Sequence, residues 1–187
     1  ISGKTLYSVL AAQDGWRDPD ADSSVKPVFL IARGKHSLSD GNYIGGIYTS
    51  RVQGGDNNNV GGIDGKFLFK KDFNCDFSLL QSVTHSSGHG TTVGGSMASI
   101  NYAYSTTPLY IGFSAENITE DFRMDTAFYR RTGISRAGTY ISPKYYPKSE
   151  RYSWINKIAP SFGIDYVREH NSGMEDASFD LSLGVDF

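Results

Sequence analysis

Apolar and polar residues alternate along most of this chain, most plainly at its end. There Phe179, Leu181, Leu183, Val185 and Phe187 interleave with Asp180, Ser182, Gly184 and Asp186. A period of two is that of a strand whose side chains point in turn to opposite faces of a sheet. Upstream, Phe73, Cys75, Phe77, Leu79 and Val83 oppose Asn74, Asp76, Ser78, Ser82 and Thr84. Trp154, Ile158, Phe162, Ile164 and Tyr166 likewise oppose Lys157, Ser161, Gly163 and Asp165, and Ile63, Phe67 and Phe69 oppose Asp64 and Lys66. The pattern predicts strands over 3–12, 27–36, 42–52, 60–69, 73–84, 91–103, 108–116, 133–146, 151–168 and 174–187. No stretch sustains apolar residues at helical spacing, so the chain is predicted to be all-β. Strands with one apolar and one polar face fit two settings. A soluble sandwich turns the apolar faces inward; a membrane barrel turns them outward to lipid.

The links between strands favour the barrel. Long links at 13–26, 53–59, 85–90, 117–132 and 169–173 take turns with short ones at 37–41, 70–72, 104–107 and 147–150. An up-and-down barrel has short turns at one rim and elaborated loops at the other, whereas a Greek-key sandwich has no reason to alternate. The expected architecture is therefore an antiparallel up-and-down transmembrane β-barrel, or a roughly ten-stranded portion of a larger one, forming a single domain over 1–187. An even strand count brings both chain ends to the periplasmic rim, with Phe187 beside it. Trp16, Tyr48, Tyr104, Tyr110, Tyr152 and Trp154, near the strand ends, are expected to form girdles at the lipid headgroups. The polar face, rich in Gly, Ser, Asp and Lys, would line a wet or plugged lumen.

Composition supports the β reading with 21 glycines, 12 tyrosines and 11 phenylalanines in 187 residues. Eighteen basic residues stand against 20 acidic ones, so the chain lacks the basic footprint of a nucleic-acid binder. The lone Cys75 forms no internal disulfide and is expected to pack as a small apolar strand residue. No run reaches the roughly 20 apolar residues of a membrane helix, which leaves barrel strands untouched. Starting at Ile1 directly before a strand, the sequence reads as a mature or excised segment.

Several stretches carry a resemblance. GKTLYSVLAAQDG near the start, GGIYTSRVQGGDNNNVGGIDGKFLF at 45–69, MDTAFYRRTGISRAGTYISPKYYP at 124–147 and SWINKIAPSF after it are similar to an uncharacterised domain of secreted Gram-negative proteins. It is the C-terminal barrel domain that follows an N-terminal family-nine carbohydrate-binding module. TSRVQGG with NNNVGGIDGKF, and AFYRRTGI, are the specific pieces. The resemblance implies residence in the outer membrane of a Gram-negative bacterium, a loose association with carbohydrate use, an attached binding module, and barrel strands beyond these ten. It supplies no catalytic residues.

Candidate chemistry lies in the links. Asp14, Asp18, Asp20 and Asp22 offer hard oxygen ligands of the kind calcium accepts, although an EF-hand is excluded: the sixth position counted from Asp18 is not glycine and the twelfth is Phe29. The alternative is a solvated acidic loop. His85 and His89 have a spacing that could bring two imidazoles to a metal, but no third histidine or cysteine lies nearby. Ser86 and Ser87 stand beside them without the elbow or oriented acid of a nucleophile. Asp56 to Asn59 reads as turn chemistry, and the glycines around it as room for bends or close strand packing. Arg130 and Arg131 could face the lumen or grip lipopolysaccharide phosphates. No catalytic constellation emerges. The expected role is an outer-membrane pore, anchor or export platform whose partners are outer-membrane lipid, saccharides and the attached module. The competing reading is a soluble secreted β-sandwich binding glycan or calcium through its long loops.

Overall fold

In the computed structural model, which describes residues 4–15, 25–127, 131–148, 151 and 154–187, the alternating segments become ten strands. They are β1 (Thr5–Gln13), β2 (Val28–Ser39), β3 (Asn42–Gln53), β4 (Asp56–Phe69), β5 (Phe73–Ser86), β6 (Thr91–Ser105), β7 (Leu109–Ile118), β8 (Ile134–Pro143), β9 (Lys157–Glu169) and β10 (Glu175–Asp186). Each pairs antiparallel with its successor in sequence, giving one up-and-down sheet in the order β1 to β10. The fold is all-β, as the alternation predicts. β1 and β10 do not pair with each other, so the sheet has two open edges.

The strict alternation of link lengths needs correction in two places. The link read at 53–59 is a two-residue turn, because Gln53 already pairs with Asp56. Gly54 and Gly55 make this possible with φ of 58° and 99°, the left-handed values that a tight hairpin turn demands and side chains resist. Asn57, Asn58 and Asn59 consequently belong to β4. Conversely, the short link at 147–150 spans Lys144 to Asn156, since β8 stops at Pro143 and β9 starts only at Lys157. Prolines at 143 and 147 lack the N–H that would extend the ladder. Only an isolated bridge between Tyr145 and Ile158 continues the pairing.

The register sorts the side chains onto two unlike faces. On one, Ile63 pairs with Leu79, Phe77 with Ile100, and Phe162 with Leu181. These are among many large apolar residues left exposed, Leu181 at 84% and Leu79 at 47%. Cys75 shares that face, between Phe67 and Tyr102. The described residues form one sheet, with no second sheet covering this side as a sandwich would require. The other face carries Arg33, Asp64, Lys66, Asp76, Arg136 and Asp165. It also holds the small core of Val60, Met97, Ile118, Phe122 and Ile134, against which Leu80, Met124 and Val167 pack.

The sheet curves toward this second, concave face. Residues from six consecutive strands, β5 through β10, line one cavity of about 450 Å³ there. A flat sheet with strands about 4.8 Å apart would spread them too widely to share it.

At the end of the sheet that carries the turns at 40–41, 70–72 and 106–108 and the longer 144–156 link, aromatic rings gather. Phe67 stacks with Phe69 and Phe77 at 6.2 Å, Phe73 meets Tyr104 at 4.7 Å, and Trp154 lies parallel to Phe187 at 5.6 Å. Tyr104 and Trp154 stand in this end-of-sheet cluster. Tyr48 sits mid-strand with its hydroxyl donating to Asn59 at 2.9 Å, away from this cluster, and Tyr110 faces the concave side. Trp16 and Tyr152 lie outside the described residues.

Candidate functional site

What distinguishes the concave face is a strap of chain, Thr119 to Ala127, that leaves β7 and folds back across β3 to β6. Two hydrogen bonds start it: the Thr119 amide donates to the Ser96 carbonyl at 3.0 Å, and the Ser96 amide donates to the Thr119 hydroxyl at 2.8 Å. Phe122 then turns inward to 3% exposure. Its backbone lies directly on Gly95, where an added Cβ would fall 2.2 Å from the Phe122 nitrogen. Only glycine allows that approach.

Asn58 and Ser82, at 2% and 0% exposure, fasten the strap from beneath. The Asn58 amide nitrogen donates to the Arg123 carbonyl at 2.9 Å and to the Thr84 hydroxyl at 2.8 Å, while its oxygen accepts the Asp125 amide at 3.0 Å. The Arg123 amide donates to the Ser82 hydroxyl at 3.2 Å. Above these bonds Asp125 joins two guanidiniums, Arg51 at 3.2 Å and Arg123 at 2.5 Å. A side-chain amide using three of its four hydrogen-bonding positions on backbone and hydroxyl partners is a specific clasp.

The sheet beside the strap is charged in pairs. Arg33 meets Asp64 at 2.6 Å, and Lys66 reaches Asp76 at 3.8 Å. The Lys35 ammonium stands 3.8 Å over the Tyr43 ring. On the far side Arg136 meets Asp165 at 3.3 Å at the edge of the cavity. Arg33 and Asp64 sit two strands apart and meet over the bare backbone of Gly45 on β3, while the other pairs are cross-strand or diagonal neighbours of the kind that stabilise a sheet face. Together they make a charged but nearly neutral surface on the inside of the curve.

The residues singled out from sequence are mostly placed elsewhere. Asp14 sits just after β1, its amide donating to the Pro27 carbonyl at 3.0 Å, and Asp18, Asp20 and Asp22 lie outside the described residues. His85 bonds Thr92 at 2.9 Å across the β5–β6 ladder. Ser87 gives both its amide, at 2.7 Å, and its hydroxyl, at 2.8 Å, to Asp56, which spends the hydroxyl on joining two hairpin tips. Arg131 forms an ion pair with Glu169, while Arg130 is outside the described residues.

The Asp56–Ser87 contact has a pH signature. Asp56 stands at the tip of its hairpin, paired with Gln53 across the Gly54–Gly55 turn. The Ser87 amide and hydroxyl hold its carboxyl below the usual carboxylate range. A depressed folded-state pKa means that the stabilisation is complete above the carboxyl's unfolded value and fades as pH falls through the folded one. The Ser87 amide signal in NMR should therefore hold its bonded position to pH values where free carboxylates are already protonated, then move. Asp56→Asn, which keeps an acceptor but does not titrate, should abolish that movement.

Nothing in the sequence pattern located the strap. It falls in the link read at 117–132, where the residues show no period. Its anchors are ordinary strand residues in the sequence. The only trace is the pair Gly94–Gly95 in an otherwise regular strand, a local sign of close backbone approach. No protein-family model, curated protein or solved structure matches the chain. What the arrangement does is read from its own chemistry.

Proposed function

We propose that the chain forms the wall of an outer-membrane β-barrel, with the apolar face toward lipid, the charged face toward a water-filled lumen, and the strap narrowing that lumen as a constriction. The carrying observation is the inverted distribution of polarity. The core sits on the polar face under the strap, whereas the opposite face leaves Ile63, Leu79, Ile100, Phe113 and Phe162 exposed side by side. Exposed apolar area this continuous is a surface awaiting another phase. The aromatic cluster at one end of the sheet supports a headgroup girdle, and strands of 9 to 15 residues suffice for a crossing, which takes about 9–11 residues when tilted.

Unpaired strand edges in hydrocarbon cost several kcal/mol per orphaned polar group. In a bilayer β1 and β10 therefore pair, with each other or with further strands of a larger barrel. The similarity of several segments to barrel domains that accompany a family-nine carbohydrate-binding module fits this role as pore or platform. The test is expression behind an export signal in a Gram-negative host. Fractionation with the outer membrane and faster gel migration before heating than after are expected. A protein that stays in the soluble periplasmic fraction, folded and without detergent, overturns the reading.

A further inference from the structure

The cavity on the concave face, between the strap and the β10 edge, has a construction that the pore reading does not use. Glycines occupy positions 112, 138 and 163 on its side of β7, β8 and β9. By register Tyr140 stands directly between Gly112 and Gly163. Neither neighbour has a side chain to rise beside its ring. A Cβ at Gly163 would lie 3.5 Å from the Tyr140 ring, and one at Gly112 would lie 3.2 Å from the Tyr110 hydroxyl. The two rings therefore lean over bare backbone, 5.9 Å apart and inclined at 64°. Tyr140 keeps 42% of its surface open.

Around this aromatic floor stand hydrogen-bonding groups. Asp165 lies across Gly138, its Oδ1 only 2.6 Å from where a Cβ would be. Arg136 offsets its charge at 3.3 Å. Asp180 and Asn101 face the same space. Asn74 lines it too; its Oδ1 is buried and accepts no hydrogen bond among the described residues. Unsatisfied buried acceptors are uncommon and call for a donor. The volume, about 450 Å³, falls within the roughly 300–1,000 Å³ of small-molecule sites.

We propose that this groove binds a neutral oligosaccharide. The negative face of an aromatic ring attracts weakly positive hydrogens, which the C–H face of a pyranose presents as a flat patch. Hydroxyl groups around that patch donate to carboxylate and amide oxygens of the kind that rim the groove. An anionic ligand would meet two carboxylates and one already paired arginine. The proposal deepens the pore reading, since it takes the concave face as open to solvent, and it names the solute class.

The experiment titrates the folded, purified protein with maltotriose, cellotriose and laminaritriose, and with tetraethylene glycol as an uncharged control lacking a pyranose face. Calorimetry and tyrosine fluorescence give the readouts. Saturable binding of at least one trisaccharide and none of the glycol is expected. Tyr140→Ala should weaken it at least tenfold and Asp180→Asn several-fold. Unchanged gel migration before heating certifies that each variant is folded. No saturable trisaccharide binding by the folded wild type, or Tyr140→Ala binding like wild type, overturns the proposal. A protein that conducts ions in a bilayer but binds no trisaccharide loses the groove alone. One that is water-soluble and still binds loses the barrel and keeps the groove.

Discussion

Ile100→Arg should prevent the protein from assembling in a bilayer, while Asn101→Arg, one residue away, should leave assembly close to wild type. Ile100 lies in the middle of the apolar stripe of β6, flanked by Phe77 and Ala115 on the neighbouring strands. An arginine near the midplane of the lipid face of a barrel costs about 2–4 kcal/mol, and at that depth the side chain has little means of reaching water. Asn101 points to the concave face opposite Asp76, so an arginine there meets solvent and a carboxylate. The measurement is the fraction folded in lipid vesicles, read as heat-modifiable migration across a urea series. In water the same exposed isoleucine would accept arginine within about 0.5 kcal/mol. Equal behaviour of the two variants would mean that the apolar face does not meet lipid.

That contrast between adjacent residues is the part of the structure most legible in the sequence. Phe73 to Val83 and Phe179 to Phe187 announce their two faces because a strand's side-chain period is an integer. A few residues then suffice to assign inward and outward. The strand order follows almost as directly, since short links join sequential neighbours. The boundaries were harder to read. Asn57 to Asn59 resemble loop residues by composition, yet Gly54 and Gly55 turn the chain so tightly that the asparagines fall in the ladder, and Asn58 becomes a buried clasp. Tyr110 looked like a girdle residue from its place near a strand end, but the face it occupies depends on register with Ser142, which only the folded sheet fixes. The strap is the extreme case. Phe122 meets Gly95, and Asp125 meets Arg51 and Asn58, across 27 to 74 positions of sequence, and no local period encodes such contacts.

Gly95→Val should lift the strap, whereas Gly94→Val should leave it seated. A Cβ at position 95 would lie 2.2 Å from the Phe122 nitrogen and 2.3 Å from its Cα, backbone atoms that have no rotamer by which to withdraw. At position 94 the nearest atoms lie at 3.7 Å, an ordinary contact. Lifting the strap exposes Phe122, whose removal from a core typically costs about 3–5 kcal/mol. It also strands the Asn58 side chain, which loses the Arg123 carbonyl and the Asp125 amide, at about 1–3 kcal/mol for each buried group left unpaired. The sheet itself does not depend on these contacts, because its ladders are complete without the strap. Gly95→Val should thus yield a protein that folds and migrates like wild type but is cut by trypsin after Arg123 much faster. In planar bilayers it should conduct more per channel, since the constriction has left the lumen. Asn58→Ala should shift both properties in the same direction by a smaller amount. If Gly95→Val is cut faster and conducts no more, the strap lies on the inner wall without narrowing the path, and the solute is held by the groove alone.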